Sequence, residues 1–240
     1  MLCLGLATAD LSPGVALAAG GEVLAEVFET NPANKAQAVF VYLARLKKEG
    51  RLNLSALDLL AVIAGPGSFT GLKVGLAAAK GLGFALGLDI VPVSSLAALA
   101  HHLADSSKDR GSGRLIAPIL DARRDLIYTA LFAAKKEGLT RLEPDQATAP
   151  QDWADCLARL EGKRPVIIGG EGLHAYAEFF QERLGASAQL APQADWPIRP
   201  GWVARLGATR PGEAISPQAL QANYLRPVDA KRPARDLVAL

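Results

Sequence analysis

The sequence predicts an α/β protein of two lobes, each formed by a mixed sheet with helices, with a cleft between the lobes. Half of its 240 residues are hydrophobic, and a chain of this length buries roughly 70–75% of its unfolded surface. The predicted order strand–strand–strand–helix–strand–helix occurs twice, on either side of a polar stretch at 105–113. We therefore expect a first lobe over residues 1–104 and a smaller second lobe over residues 105–240.

The first lobe begins with three short apolar runs joined by turn residues, which is typical of antiparallel strands. An apolar run at helical spacing follows, then a continuous apolar run of the kind that buried strands have, and then a longer helical run. In order, these are strands at 2–8, 14–19 and 22–29, a helix near 34–48, a strand at 58–64 and a helix from residue 70.

The second lobe repeats this order after the polar stretch. Its elements are strands at 114–121, 125–134 and 138–143, a helix near 151–160, a strand at 166–168 and a helix near 172–184. The Pro-rich residues 191–201 form a connection, and 201–210 are predicted to be helical. The end of the chain, 227–240, combines basic residues with two prolines and little apolar content, which predicts a disordered tail.

The most informative stretch is the turn Gly65-Pro66-Gly67-Ser68-Phe69-Thr70-Gly71, between the buried strand and the long helix. Glycine allows positive φ, proline fixes φ at about −65°, and a hydroxyl can cap a helix. The stretch is therefore a sharp strand-to-helix turn with Ser68 or Thr70 as N-cap. Its free N–H groups, at the positive end of a helix, would accept an anion. A tight turn that needs glycine only for steric reasons is the alternative, and geometry alone leaves both open.

This turn, extended through Leu72-Lys73-Val74-Gly75, resembles the signature of the bacterial TsaB (YeaZ) family. Further resembling segments occur in the family's order and cover most of residues 1–226: Leu2 to Thr8, Pro92 to Leu96, Leu120 to Arg124, Tyr128, and Tyr224 to Arg226. The resemblance implies the actin-like ATPase (ASKHA, ribonuclease H-like) fold. It also implies that the helix at 201–210 crosses back onto the first lobe.

The resemblance implies a function as well. Members of the family are non-catalytic partners in the synthesis of threonylcarbamoyladenosine beside the tRNA anticodon. The implied role is a scaffold that binds and activates a metal-containing catalytic subunit of the TsaD type, with a small ATPase of the TsaE type in the assembly and tRNA bound through the complex. The chain alone would then not be an enzyme. A homodimer through the same helices, and a weak contact of the basic tail with tRNA phosphate, are open alternatives.

The first strand of each lobe ends at the position where an ATPase of this fold needs a carboxylate to organise metal and phosphate. The first strand ends in Ala7, where family members usually have aspartate, and a methyl group cannot order a magnesium-bound water. Asp121 ends the corresponding strand of the second lobe, where it can pair as a turn residue with Arg123 or Arg124. An actin-like kinase or ATPase is therefore kept as an alternative function only.

The remaining catalytic residue types are sparse. His101 and His102 are adjacent, so they point about 100° apart on a helix, and His174 has no partner one helical turn away. We expect no metal site, no cofactor and three exposed histidines. Ser68 lacks the Gly-x-Ser-x-Gly frame of a serine hydrolase, which counts against the second alternative, a glycopeptidase-like hydrolase. Cys3, in an apolar strand, is expected to be a buried free thiol.

A partner surface is expected on the two helices of the first lobe. Small residues recur every four positions from Gly71 to Gly83, which permits close approach to another helix or to the chain's own sheet. The helix at 34–48 is apolar on more than one face. In the TsaB family these helices form a bundle with the partner, and transfer of that interface gives Val39, Phe40, Leu43, Gly75, Leu76 and Ala79. The turn residues Gly65, Gly67, Ser68, Thr70 and Gly71 would shape the loop beside it.

Composition limits the cellular setting. The net charge of +2 argues against a dedicated nucleic-acid-binding protein. No positively charged segment followed by an apolar core opens the sequence, so no signal peptide is expected. The apolar residues 72–92 are interrupted by Lys73, Lys80 and Asp89, and are a poor membrane span. We expect a cytoplasmic protein without membrane contact.

Overall fold

The computed structural model describes residues 1–107, 113–136, 138–160 and 166–226. The predicted tail at 227–240 and part of the polar stretch at 105–113 lie outside these residues. The first lobe contains β1 Leu2–Ala7, β2 Gly14–Ala19, β3 Glu22–Phe28, α1 Lys35–Lys48, β4 Leu59–Gly65, α2 Phe69–Leu86, β5 Ile90–Ser94 and α3 Ser95–Ser106. The second contains β6 Leu115–Arg123, β7 Leu126–Lys135, β8 Gly138–Thr148, α4 Pro150–Ala158, β9 Val166–Gly169, α5 Leu173–Leu184, β10 Ala188–Leu190 and α6 Pro200–Thr209.

Both lobes have the same sheet topology. The strand orders are β3-β2-β1-β4-β5 and, read from the other edge, β8-β7-β6-β9-β10. In each sheet the first three strands form an antiparallel meander, and the fourth strand lies parallel to the first. The duplication inferred from the sequence is therefore present, and each sheet has one strand more than predicted. The fifth strands β5 and β10 are outside the predicted pattern, and β8 continues to Thr148 instead of ending at residue 143.

Two helices lie between the lobes. α6 packs on β1, β2 and β4 of the first sheet, whereas α3, from the first half of the chain, packs on β6 and β7 of the second. Glycine is required for the close approach of α6: a Cβ on Gly5 would lie 2.4 Å from Ala204 N, and one on Gly207 would lie 2.5 Å from Ala61 Cβ. One hydrophobic core consequently runs through both lobes and includes α3 and α6. The lobe boundaries at residues 104 and 105 stay a prediction.

The opposite face of the first sheet is covered by α1 and α2, whose apolar side chains form a second core with β1, β2 and β4. α2 has 18 residues with a mean hydropathy of 1.2, so by length and composition it could cross a membrane. A third of those residues are buried inside the chain, and α2 packs on β4. A core helix of a globular protein has the same properties.

Cys3 lies in β1 without any exposure, and both it and Cys156 are free thiols. Burial raises the pKa of the Cys3 thiol to about 12, which keeps it protonated at neutral pH. The prediction of a buried free thiol is confirmed.

Candidate functional site

The glycine-rich turn joins β4 to α2, and Ser68 is the N-cap of α2. The backbone N–H of Gly71 donates to Ser68 Oγ at 3.3 Å, while Thr70 lies in the first turn of the helix. Of the two predicted N-cap residues, Ser68 is therefore the one that caps the helix. Gly65 and Gly67 have φ angles of 129° and 156°, and a Cβ on Gly67 would lie 2.7 Å from the carbonyl oxygen of Ala9. Steric need therefore accounts for glycine at these two positions.

Three parts of the chain fix the position of this turn. Ser68 N donates to the carbonyl of Ala9 at 2.8 Å, just beyond β1. Ser95 Oγ, at the start of α3, donates to the carbonyl of Pro66 at 2.5 Å. The C-terminal segment adds a third bond, from Asn223 N to the carbonyl of Ala64 at 2.7 Å. The turn is thereby tied to β1, α3 and the segment that follows α6.

The turn forms one wall of a cleft of about 900 Å³ between the lobes. The other wall comes from the β6–β7 turn and from residues at the start of α5. The lining residues are Thr8, Asp10, Leu11, Asn31, Gly67 to Gly71, Val74, Asp121 to Arg124, Tyr128, Glu171, His174, Tyr224 and Arg226. Large concave sites with a few converging polar groups are where proteins usually bind small molecules.

Two carboxylates lie at the base of the cleft and hold backbone N–H groups. Asp10 accepts from Ser12 N at 2.9 Å and from Ile198 N at 2.8 Å. Glu171, from the second lobe, accepts from Leu11 N of the first lobe at 3.2 Å. Burial, and then the negative charge of Asp10, raise the pKa of Glu171 to about 7. With this pKa, the Glu171 carboxyl changes its protonation state near neutral pH. Its hydrogen bond with Leu11 N also links the two lobes directly.

The basic residues of the cleft are engaged by their own chain. Asp121 accepts from Arg123 N at 2.7 Å and forms an ion pair with the Arg123 guanidinium at 2.9 Å, the turn role that the sequence predicted. Arg123, Arg124 and Asp125 all have φ between 54° and 61°, a conformation rare for residues other than glycine. Arg226 donates to the carbonyls of Ala122 and Arg123. The arginines thus hold the β6–β7 turn against the C-terminal segment.

The histidines differ from the prediction. His102 is only 8% exposed, with Nε2 at 3.6 Å from Asp195 Oδ1, and burial lowers its pKa despite that carboxylate. The prediction of exposure is wrong for His102, and His101 is only half-exposed, because α3 is enclosed between the lobes. His174 is exposed and lines the cleft that also contains Ser68, an arrangement that the sequence did not suggest. Among the described residues, no group of three His, Cys, Asp or Glu side chains could hold a metal ion.

Four of the six residues expected at the partner surface are inside the chain's own packing. Val39 and Ala79 are fully buried, and Leu76 and Gly75 are buried as well. A Cβ on Gly75 would lie 2.2 Å from Thr8 Oγ1, so this part of the row on α2 serves a contact with the residue after β1, whereas a Cβ on Gly83 would meet Pro217. These four residues therefore present almost no exposed surface of their own, and the partner surface itself stays a prediction.

Exposed apolar side chains lie elsewhere on the same two helices. Of the predicted residues, Phe40 is 55% exposed and Leu43 is half-buried. Val41 on α1 and Phe84 on α2, at 58% and 57% exposed, were not among them. The sequence showed apolar residues on more than one face of α1, but it did not show which face lies on the sheet.

Two sheets of identical topology, helices that cross between the lobes and an interlobe cleft define a protein of the actin-like ATPase (ASKHA, ribonuclease H-like) fold, as predicted. The solved structure of YeaZ from Pseudomonas aeruginosa is similar, with a TM-score of 0.75 and 24% identity over 93% of this chain and 99% of that chain. Component A of the (R)-2-hydroxyglutaryl-CoA dehydratase of Acidaminococcus fermentans shares the fold at a TM-score of 0.51 and 9% identity, over 88% of this chain and 99% of that chain.

Sequence comparison identifies the family. A family model described as "TsaD: tRNA N6-adenosine threonylcarbamoyltransferase" matches residues 23–192. The Bacillus subtilis "tRNA threonylcarbamoyladenosine biosynthesis protein TsaB" is 31% identical over 231 residues, 96% of each chain. The Escherichia coli protein of the same name is 28% identical over 183 residues, 76% of each chain. The chain belongs to the TsaB (YeaZ) family.

Proposed function

We propose that this chain is the non-catalytic subunit of a complex that makes threonylcarbamoyladenosine in tRNA. It binds and stabilises a catalytic subunit of the TsaD type, and the assembly, with a small ATPase of the TsaE type, transfers the threonylcarbamoyl group to the adenosine beside the anticodon. The names of the relatives support the pathway. The complex works in the cytoplasm, where tRNA is modified.

The observation that carries this proposal is an exposed apolar surface on α1 and α2, called here the helix surface. Its members are Phe40, Val41 and Ala44 on α1, and Ala77, Gly81 and Phe84 on α2. Residues 77, 81 and 84 share one side of α2 because they are four and three positions apart, and α1 and α2 contact each other. Exposed apolar patches of this kind usually mark protein–protein interfaces.

Gly81 adds a second reason to expect a helix partner. A Cβ at this position would meet nothing within 4 Å, so no contact inside the chain needs glycine there. Glycine in a helix costs about 1 kcal/mol relative to alanine. Bare backbone between Ala77 and Phe84 would let a partner helix approach closely, which compensates for that cost in the complex.

The cleft supports a role without catalysis of its own. Ala7, at the end of β1, offers no carboxylate, and Asp10 and Glu171 hold backbone N–H groups. Ser68 Oγ accepts the helix-capping bond from Gly71 N, and His174 packs edge-on against Trp196 at 4.9 Å. The geometry of these residues favours a structural cleft.

The test is to co-express the chain with the catalytic subunit from the same genome and measure the complex with Phe40→Asp. Fully burying a Phe side chain contributes about 1.5–3 kcal/mol, so the exposed half of Phe40 contributes about 1 kcal/mol, and a buried carboxylate adds a desolvation cost. We expect the Kd to rise at least about tenfold. The matched control is Leu142→Asp, at a residue 49% exposed on β8, which should bind as wild type. Wild-type binding by both variants would overturn the helix surface as the interface.

An actin-like kinase or ATPase is the second candidate, favoured by the cleft of about 900 Å³ beside the N-terminus of α2. It predicts that the isolated chain binds ATP, and calorimetry with ATP and magnesium measures this directly. ATP binding that the Ser68→Ala and Glu171→Gln variants lose would support this candidate, and no heat of binding would reject it. A glycopeptidase-like hydrolase predicts casein cleavage by the purified chain.

A further inference from the structure

A second cavity, of about 480 Å³, lies between α3, α6 and the β7–β8 turn, separate in its lining from the interlobe cleft. Basic side chains converge on it from different elements: Lys135 from the end of β7, Lys136 from the β7–β8 turn, and Arg205 and Arg210 from α6 and the residue that follows it. Among its described lining residues there is no carboxylate. This cavity, with these four residues and Trp202, is called the basic groove.

Trp202 orders the centre of the basic groove. The guanidinium of Arg205 lies 4.0 Å from the centre of the Trp202 ring, a cation–π contact that holds the charge in place. The ring of His101, from α3, lies 5.0 Å from the same indole at an angle of 28°. The groove is therefore a built arrangement of rings and charges contributed by two helices.

The charges of the basic groove are weakly neutralised within the described residues. Lys135, Lys136 and Arg205 occur in none of the ion pairs found there, and Arg210 has only Glu213 at 4.0 Å, with both side chains exposed. Exposed pairs of this kind contribute little. In the cleft, by contrast, Arg123 is paired with Asp121.

We propose that the basic groove binds the phosphodiester backbone of RNA. Four cations around one groove suit a ligand that carries several negative charges at regular intervals, which a nucleic-acid backbone does. The chain has a net charge of only +2, so this concentration of positive charge belongs to the groove and does not reflect the whole surface. The inference rests on the proposed function, because it assumes that the complex meets tRNA, and it gives this subunit its own contact with the RNA.

The expected strength follows from counter-ion release. Four phosphate contacts give a slope of log K against log salt of about −3 to −4, which is an affinity loss of about a hundredfold between about 50 and 200 mM salt. Two contacts halve this slope. At about 0.1 M salt each contact contributes roughly 0.9 log unit, so loss of two contacts weakens binding at least about tenfold.

The experiment is fluorescence anisotropy of a labelled, unmodified tRNA transcript titrated with the full-length chain over a series of salt concentrations. The groove variant is Lys135→Gln/Lys136→Gln, at two exposed neighbours where β7 ends. The matched control is Lys47→Gln/Lys48→Gln, which removes the same charge from two exposed neighbours at the end of α1. We expect the groove variant to lose at least about tenfold in affinity and about half of the salt slope, while the control binds as wild type.

The other outcomes overturn the inference. Undetectable binding by the wild-type chain, or equal binding by the two variants, contradicts RNA contact in the groove. ATP or inorganic phosphate that displaces the transcript at equal phosphate concentration identifies a site for small phosphate ligands instead. Light scattering of each variant with the catalytic subunit is measured in parallel. A groove variant that still forms the complex but loses RNA separates this inference from the proposed function, and loss of the complex by the wild type would contradict the proposed function alone.

Discussion

Replacing Glu171 by glutamine should stabilise the chain progressively as the pH rises. The Glu171 carboxyl is mostly buried at the base of the cleft, accepts from Leu11 N and faces the negative charges of Asp10 and Asp121. Its pKa is raised from 4.5 to about 7 in the folded chain. A carboxyl group whose pKa is raised by folding lowers the free energy of unfolding only when it ionises. Its contribution to stability is therefore fully present below the unfolded pKa and is lost as the pH rises through the folded pKa.

The magnitude follows from the two pKa values. Each unit of difference between the folded and unfolded pKa is worth about 1.4 kcal/mol, so full ionisation of Glu171 removes about 3.5 kcal/mol of stability. Between about pH 5 and pH 8 the loss is about 2.5 kcal/mol. Glutamine cannot ionise, and its amide oxygen can still accept from Leu11 N. The stability of Glu171→Gln relative to wild type should therefore increase by about 2.5 kcal/mol over that range.

The assay is urea unfolding of both proteins at several pH values across this range, with Glu182→Gln, at an exposed residue of the same helix, as the control. His102 has a lowered pKa, so it makes the folded chain lose stability as the pH falls through about 6.5. That effect is common to both proteins and cancels in the difference. A stability difference that does not change with pH would refute the environment described for Glu171.

Two further predictions concern the packing of the turn and of α2. Gly75→Ala should destabilise the isolated chain by about 1–3 kcal/mol, because the new Cβ would lie 2.2 Å from Thr8 Oγ1. Gly81→Ala, the same change on the open side of the same helix, should instead stabilise it by about 0.5–1 kcal/mol, and equal effects in urea unfolding would contradict this account of α2. Ser95→Ala should cost about 1–3 kcal/mol, because it leaves the buried carbonyl of Pro66 without its donor. Ser55→Ala, at an exposed hydroxyl, should change unfolding by less than about 0.5 kcal/mol, and a Ser95 effect no larger than this would count against the anchoring of the turn.

Local sequence patterns were sufficient to predict most of the helices and strands. The meander of β1 to β3, the buried strand β4 and the capped start of α2 each follow from a pattern within about ten residues. The fifth strand of each sheet was missed: β10 has only three residues, and only three residues separate β5 from the end of α2. A run of that length between helices does not show the alternation that identifies a strand.

The site depended on contacts that sequence patterns do not encode. Glu171 meets Leu11 across 160 positions of the chain, so neither its burial nor its neighbour Asp10 could be inferred from spacing. The row from Gly71 to Gly83 correctly indicated a close approach, but it could not reveal that the approaching groups, Thr8 and Pro217, belong to the same chain. For α1, apolar residues on two faces indicated a second contact surface. Which face lies outside is decided by the sheet, which buries Val39 and leaves Val41 exposed.

The most direct test of the central claim is the mass of the complex. The wild-type chain is co-expressed with the TsaD-type subunit of the same genome, and the purified material is analysed by size-exclusion chromatography with light scattering. The proposed function predicts a stable assembly with the two chains in equal amounts, which Phe40→Asp separates and Leu142→Asp leaves intact. Separate elution of the two wild-type chains, with and without nucleotide, would contradict it.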